Sequence, residues 1–204
     1  MKVLLVNGSP HEFGCTYTAL QEVASSLEQQ QIETEIFWIG KEPIAGCIGC
    51  GYCQKEGHCF RKDCVNTFLE KAESVDGFVF GTPVHFASAT GAIISFLDRA
   101  FYVGKFNGKV GASIVSCRRG GATATFDEMN KYFAIKNMPI VSSNYWNMVH
   151  GNTPEEVKQD QEGMQTMRVL GQNMAWLLRC IEAGKQAGIS YPQPEEKVWT
   201  NFIR

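Results

Sequence analysis

Hydrophobic positions along the chain alternate between short continuous runs and helically spaced stripes. The apolar run at 3–6 stops at Asn7 and Gly8, the pattern of a strand buried on both faces. Ala19, Leu20, Val23, Ala24 and Leu27 then recur at helical spacing. Residues 36–39 predict a second strand, and Val65, Phe68, Leu69 and Ala72 a short helix. Residues 78–80 predict a third strand, broken by Gly81, Thr82 and Pro83. Ile93, Ile94, Phe96, Leu97 and Phe101 line the next helix, and 112–115 predict a fourth strand. Phe126, Met129, Tyr132 and Phe133 mark another helix, and 138–141 predict the fifth strand. Met167, Leu170, Met174, Leu177, Leu178 and Ile181 fit a long final helix.

Five strands alternating with five helices imply a parallel sheet covered on both faces. Of the two common doubly wound orders, five strands favour the flavodoxin-like order 2-1-3-4-5. No repeat, low-complexity tract or interdomain linker interrupts the pattern, so residues 1–204 read as one domain carrying a cysteine-rich loop at 45–64. In that topology ligands bind beyond the carboxyl ends of the strands, at the switch point between strands 1 and 3. The loops that reach it are 8–16, 82–90 and 117–123.

Composition narrows the function classes. The hydrophobic fraction of 44% and charged fraction of 20% are those of an ordinary globular chain. A net charge of −2 gives no basic excess for nucleic acid or an anionic membrane, and no strong acidity of the kind that suits a docking electron carrier. The run at 3–6 is too short for a signal segment or a membrane span, and no later stretch is long enough either. The expected location is the cytosol, where thiols stay reduced.

The loop "NGSPHEFGCT" leads from a strand into a helix, whose first N–H groups lack internal partners and carry partial positive charge. With hydroxyls at Ser9 and Thr16 it forms a phosphate cradle. It has neither the lysine of a G-x-x-x-x-G-K-[ST] loop nor a G-x-G-x-x-G pattern, which disfavours an NTPase and a dinucleotide site of that type. A plain turn capped by Thr16 is the alternative. "GTPVHFASATGA" sets Pro83, Val84, His85 and Phe86 just past a strand, where backbone groups can meet the polar edge of a flat heterocycle. In isolation Phe86 also reads as a core aromatic and His85 as an ordinary surface imidazole. Arg118 and Arg119, followed by Gly120 and Gly121, are either solvated or hold a phosphate of an incoming nicotinamide cofactor. Tyr145 and Trp146 fit a core, a dimer contact or an aromatic wall equally well.

Taken together, these loops resemble those of the NAD(P)H-dependent FMN reductases of flavodoxin fold, over nearly the whole chain. "NGSPHEFGCT" is similar to that family's phosphate loop, G-S-P-R-x-x-G-N-T. "GTPVHFASATGAIISFLDR" is similar to its isoalloxazine loop. The resemblance implies that Ser9, Pro10, His11, Cys15 and Thr16 surround the FMN phosphate. It places Pro83, Val84, His85 and Phe86 along the ring, with Ser116, Arg118, Gly120 and Gly121 closing over it. The chain departs from the pattern at three places: Cys15 stands for the usual Asn, His11 for Arg and His85 for Tyr. The first two remove a phosphate donor and a fixed positive charge, so weaker FMN binding is expected.

"CIGCGYCQKEGHC" places Cys47, Cys50, Cys53 and Cys59 in the spacing C-x2-C-x2-C-x5-C. This resembles the compact motif of the iron–sulfur flavoproteins, a branch of the same fold that carries a [4Fe–4S] cluster. Four thiolates can complete such a cluster, and Gly49, Gly51 and Gly57 give the loop room. Zinc also accepts four thiolates, although its knuckles more often join two separate C-x2-C pairs. Reduced thiols without metal are the third reading. Cys64 is a substitute ligand, and Cys117 and Cys180 read as buried small hydrophobes. The reaction implied is hydride transfer from NAD(P)H to FMN, then onward to a quinone, a nitro or azo compound, free flavin or a protein acceptor, with no side chain required as nucleophile or base. His85 is the only side chain that suggests itself as a proton donor near the ring. A flavodoxin-like carrier and a thiol- or metal-based sensor are the rival readings. The resemblance also implies homodimers or homotetramers.

Overall fold

A computed structural model describes residues 1–193, 195–200 and 202. The chain runs β1 (Lys2–Asn7), α1 (Cys15–Gln29), β2 (Glu33–Trp38), α2 (Tyr52–Glu56), α3 (Cys64–Ala72), β3 (Gly77–His85) and β4 (Ser88–Ala89). It continues through α4 (Gly91–Val103), β5 (Val110–Cys117), α5 (Ala122–Ile135), β6 (Met148–His150), α6 (Pro154–Gln159) and α7 (Gln161–Gln186). Five strands lie parallel in the order β2-β1-β3-β5-β6, and β4 pairs antiparallel with the end of β3 alone.

Alternation along the strands sorts the core into two layers. Val3, Leu5, Val79, Ala112 and Ile114 face α1 and α7, where they meet Leu20, Val23, Met167, Leu170 and Met174. Leu4, Val6, Phe78 and Phe80 face the other way, onto an aromatic layer built from Phe68 of α3, Phe96 and Phe101 of α4, Phe106 and Phe133. Phe68 lies against five rings, those of Phe37, Phe78, Phe80, Phe96 and Phe106, with centroids 5.1–6.2 Å apart. Truncating it to Ala would remove about 3–5 kcal/mol. Both faces of β1 are sealed, which is why its sequence is uninterrupted apolar rather than alternating.

Three expectations need correction. The sheet has six strands rather than five, because the residues after β3 fold back as β4. Pro83 does not end the third strand: β3 runs on to His85, since Pro83 pairs only with Ser116 and its missing N–H is not called on. The fifth parallel strand lies at Met148–His150, not at 138–141. Ile140 makes one isolated bridge to Gly111, flanked by Gly111 N–H to Pro139 O and Val141 N–H to Gly111 O. The chain then loops out through Ser143, whose hydroxyl donates to Asn147 Oδ1, and returns when Val115 N–H donates to Asn147 O. The two short helices α2 and α6 were not foreseen; neither carries a full apolar stripe. Among the described residues no helix is long and apolar enough to cross a membrane.

Candidate functional site

The loop after β1 is held from below by its own strand. Asn7 is wholly buried; its amide donates to Glu12 O at 2.9 Å and His11 O at 3.4 Å, and its Oδ1 accepts from Ser9 N–H at 3.0 Å. Ser9 Oγ accepts from His11 N–H, and Trp38 Nε1 donates to Ser9 O at 2.8 Å. The loop is therefore shaped before any ligand arrives. It delivers α1 with Gly14 at the N-cap and no side-chain cap. Thr16 does not cap the helix; its hydroxyl shares a 2.8 Å hydrogen bond with Ser116 at the end of β5.

Helix starts differ across the molecule in a telling way. α3, α4, α6 and α7 are capped by Asp63, Thr90, Thr153 and Asp160. α1 and α5 start at Gly14 and Gly121 with no side-chain cap, and so does the single turn of α2 inside the cysteine loop. The first N–H groups of α1 and α5 thus remain available at the carboxyl end of the sheet, where helix dipoles favour an anion.

Past β3 the chain makes a two-residue hairpin. Val84 pairs with Ala89 and His85 with Ser88, leaving Phe86 (φ 53°) and Ala87 (φ 60°) as the turn. Both lie in the left-handed region, as a type I′ turn demands, and neither is glycine. Such a turn costs on the order of 1–3 kcal/mol at each non-glycine position. Glu128 of α5 holds it in place, accepting from Ser88 Oγ at 2.7 Å and Ala89 N–H at 3.0 Å. Gly121, at φ 90°, backs onto the same turn; a Cβ there would sit 2.7 Å from the Ala87 Cα. Thr90 Oγ1 donates to Gly8 O at 3.1 Å, and Gly8 N–H donates to Gly81 O at 2.8 Å. The three loops are therefore one bonded unit.

The residues singled out in these loops meet at this end of the sheet. Ser9, Thr16 and Ser116 form its buried floor. Pro10, His11, His85, Phe86, Arg118 and Gly120 are exposed around it, with Cys15, Pro83, Val84 and Gly121 half-buried between. Burial pushes the Cys15 thiol up, with Glu156 and Glu155 adding to the rise and its own N–H opposing it. It therefore stays neutral beside the uncapped helix start. Tyr145 and Trp146 are exposed and pack edge to face at 4.6 Å. Trp38, Thr90 and Glu128 went unnoticed in the sequence, because each acts through a partner distant along the chain; Asn7 was read only as the end of a strand, although its partners are local.

The cysteine loop forms a second centre. Cys47, Cys50, Cys53 and Cys59 all line one small cavity of about 30 Å³, together with Tyr52, Phe60, Arg99 and Tyr102. Among the described residues no three His, Cys, Asp or Glu side chains converge where one metal ion would sit. Cys64 lies outside the cavity lining, and burial, with Asp63 beside it, pushes its thiol up. Cys117 is buried as expected; Cys180 is exposed, on the outer face of α7. Arg99 of α4 is 2% exposed and enters the cavity wall. Its guanidinium donates to Asp63 at 2.6 and 2.9 Å, to Ala45 O at 3.3 Å, and through Nε and Nη2 to Cys59 Sγ at 3.4 and 3.3 Å. It was legible only as the end of a family motif. A weak signal was its place three residues after Phe96, beside an apolar stripe.

Comparison with known proteins places these features in context. The family model for NADPH-dependent FMN reductase matches residues 1–153. An iron–sulfur flavoprotein of Methanocaldococcus jannaschii is 30% identical over 192 residues, covering 89% of this chain and all of that protein. A second iron–sulfur flavoprotein from the same organism is 28% identical, covering 82% of this chain and 92% of its own length. Among solved structures, RosB with a bound 8-demethyl-8-formylriboflavin-5′-phosphate intermediate superposes with a TM-score of 0.69 at 17% identity, covering all of this chain and 92% of that one. A flavodoxin from the domain Archaea superposes at 0.62 and 13% identity, covering 88% of this chain and 99% of its own.

Proposed function

Because this chain belongs to the NADPH-dependent FMN reductase family, we propose that it is an oxidoreductase that holds FMN across β1, β3 and β5 and draws electrons from NAD(P)H. It passes them to a small-molecule or protein acceptor by way of the cysteine loop. When bound, FMN supplies the chemistry, accepting a hydride and releasing electrons singly or in pairs.

The chain's own residues supply position and charge. The uncapped start of α1, with Ser9, Pro10, His11, Cys15 and Thr16 around it, receives the phosphate. Pro83, Val84, His85 and Phe86, at the end of β3 and on the hairpin held by Glu128, would line the flavin ring. Ser116 fixes Thr16 through their shared hydrogen bond, and Gly120 and Gly121 would leave room for the ring beside the start of α5. Arg118, exposed beside them, meets the phosphates of the incoming nicotinamide cofactor.

Cys47, Cys50, Cys53 and Cys59 would hold a [4Fe–4S] cluster, which takes one electron at a time. The donor set fits that group. In such a cluster each iron takes one cysteine sulfur, and four cysteines line this cavity; a single zinc needs its sulfurs about 2.3 Å from one centre, and among the described residues no three such side chains converge on one point. The likeness to proteins named iron–sulfur flavoproteins supports the same assignment.

The observation that carries the flavin reading is the meeting of two uncapped helix starts and a strained hairpin in one hydrogen-bonded unit at the sheet's switch point. FMN titrated into flavin-free protein should bind at one site per chain, and anaerobic NADPH or NADH should then bleach the flavin band. Failure to bind FMN overturns the reading. Bleaching only through a separate reductase turns it into an electron carrier.

A further inference from the structure

Arg99 offers five N–H donors, and all five are used. Two go to the carboxylate of Asp63, one to Ala45 O, and two to the same sulfur, Cys59 Sγ. Two of its donors therefore converge on one sulfur and aim the guanidinium charge at that corner of the cavity. The arginine sits 2% exposed in the wall of the cysteine cavity, among apolar residues of α3 and α4. Removing such a charge from water is expensive, and one carboxylate does not account for the donors turned away from it toward sulfur. Asp63 meanwhile caps α3 through Val65 N–H, so the fork is fixed in orientation. Asn66 of the same helix grips the backbone on either side: it accepts from Cys59 N–H at 3.0 Å and donates to Cys59 O at 2.8 Å. Cys59 is thus held by its backbone and by its sulfur, while Cys47 and Cys50 are exposed on the open part of the loop.

We propose that Arg99, oriented by Asp63, is the positioning residue that fixes Cys59 as the anchored cluster ligand and sets the reduction potential of the cluster from the protein side. The proposal rests on the cluster reading above. A cation with two hydrogen bonds on a ligating sulfur stabilises the more negative, reduced state, so it raises the potential. The carboxylate of Asp63 beside it offsets part of that charge. The two residues must therefore act with opposite signs.

The test uses full-length protein reconstituted anaerobically with iron and sulfide, and reads the cluster potential by spectroscopically monitored redox titration. Arg99→Gln should lower the midpoint by at least a tenfold change in the reduction equilibrium, about 59 mV for one electron. Arg99→Lys, which keeps the charge and loses the fork, should lower it less. Asp63→Asn, which can still cap α3, should raise it. Circular dichroism and FMN titration identify any variant that fails to fold. If Arg99→Gln does not fold, the opposite shifts of Arg99→Lys and Asp63→Asn remain decisive. Potentials that do not move, or that move in the same direction in both variants, overturn the role of Arg99 while the cluster stands. Wild-type protein that takes up no iron and sulfide overturns the cluster reading and this proposal with it.

Discussion

Cys15 stands in the first turn of α1, where the helix has no side-chain cap and where the phosphate-loop pattern that this loop resembles has an asparagine. Its thiol donates weakly, over 3.8 Å, to Gly151 O, and burial keeps it neutral. Replacing it by Asn restores an amide donor toward a charged phosphate, worth about 1.5–3 kcal/mol. Cys15→Asn is therefore expected to tighten FMN binding tenfold or more, read by quenching of flavin fluorescence on titration. Gly121 predicts the reverse. Its φ of 90° excludes a comfortable side chain, and a Cβ would strike the Ala87 backbone at 2.7 Å. Gly121→Ala should cost about 1–3 kcal/mol, seen as a lower thermal midpoint, and should weaken FMN binding because the turn carrying Phe86 must shift. At this scale the sequence displayed the loops but not their braces. "NGSP" and "GTPVHF" were readable because the turn chemistry is local. Arg99 was not, because what makes it a cavity residue is a carboxylate 36 positions away.

Elements were legible where one face of a regular period carried the whole signal. The runs of β1, β3 and β5 and the stripes of α1, α4 and α7 came through because each is buried along most of its length. The edge of the sheet did not. Residues 138–141 have a strand's composition yet make one bridge, while Met148–His150, three residues long, completes the sheet. Pairing there is decided by Asn147, whose amide donates to Ser113 O at 3.0 Å, and no periodicity encodes that contact. The opposite edge, β2, is tied down by charge. Glu35 bridges Lys71 of α3 at 2.7 Å and Lys2 of β1 at 3.0 Å. The Lys71 contact, helped by Lys2 and opposed by burial, holds its carboxyl below the usual range. The folded state therefore binds a proton less readily than the unfolded chain. The stabilisation is complete above the unfolded value, about 4.3, and is lost as pH falls through the lower folded value. Glu35→Gln should cost about 1 kcal/mol or less at pH 7. The gap to wild type in urea midpoint should close below about pH 4.

Across the whole molecule the two centres are built on different supports. The loops proposed to hold flavin rest on β1, β3 and β5 and are cross-linked by Thr16 with Ser116, Thr90 with Gly8, and Glu128 with the hairpin. The cysteine loop leaves β2 and is pinned elsewhere, to α3 through Asn66 and to α4 through Arg99. None of the hydrogen bonds that shape the phosphate loop or the hairpin involves residues 45–64 among the described residues. The doubly wound order announced the first centre, because that topology dictates where a ligand binds. The second centre is an insertion that the topology does not require, so only the cysteine spacing revealed it. Separate supports imply separable losses. Replacing Cys47, Cys50, Cys53 and Cys59 together by Ser removes all four sulfurs from the cavity lining without touching a brace of the loops proposed to hold flavin. Such a protein should bind no iron or sulfide and should fail to reduce obligate one-electron acceptors. Its FMN titration should overlay that of the wild type. Iron analysis and parallel FMN titrations check both halves, and a large fall in FMN affinity would show that the loop shapes the flavin site after all.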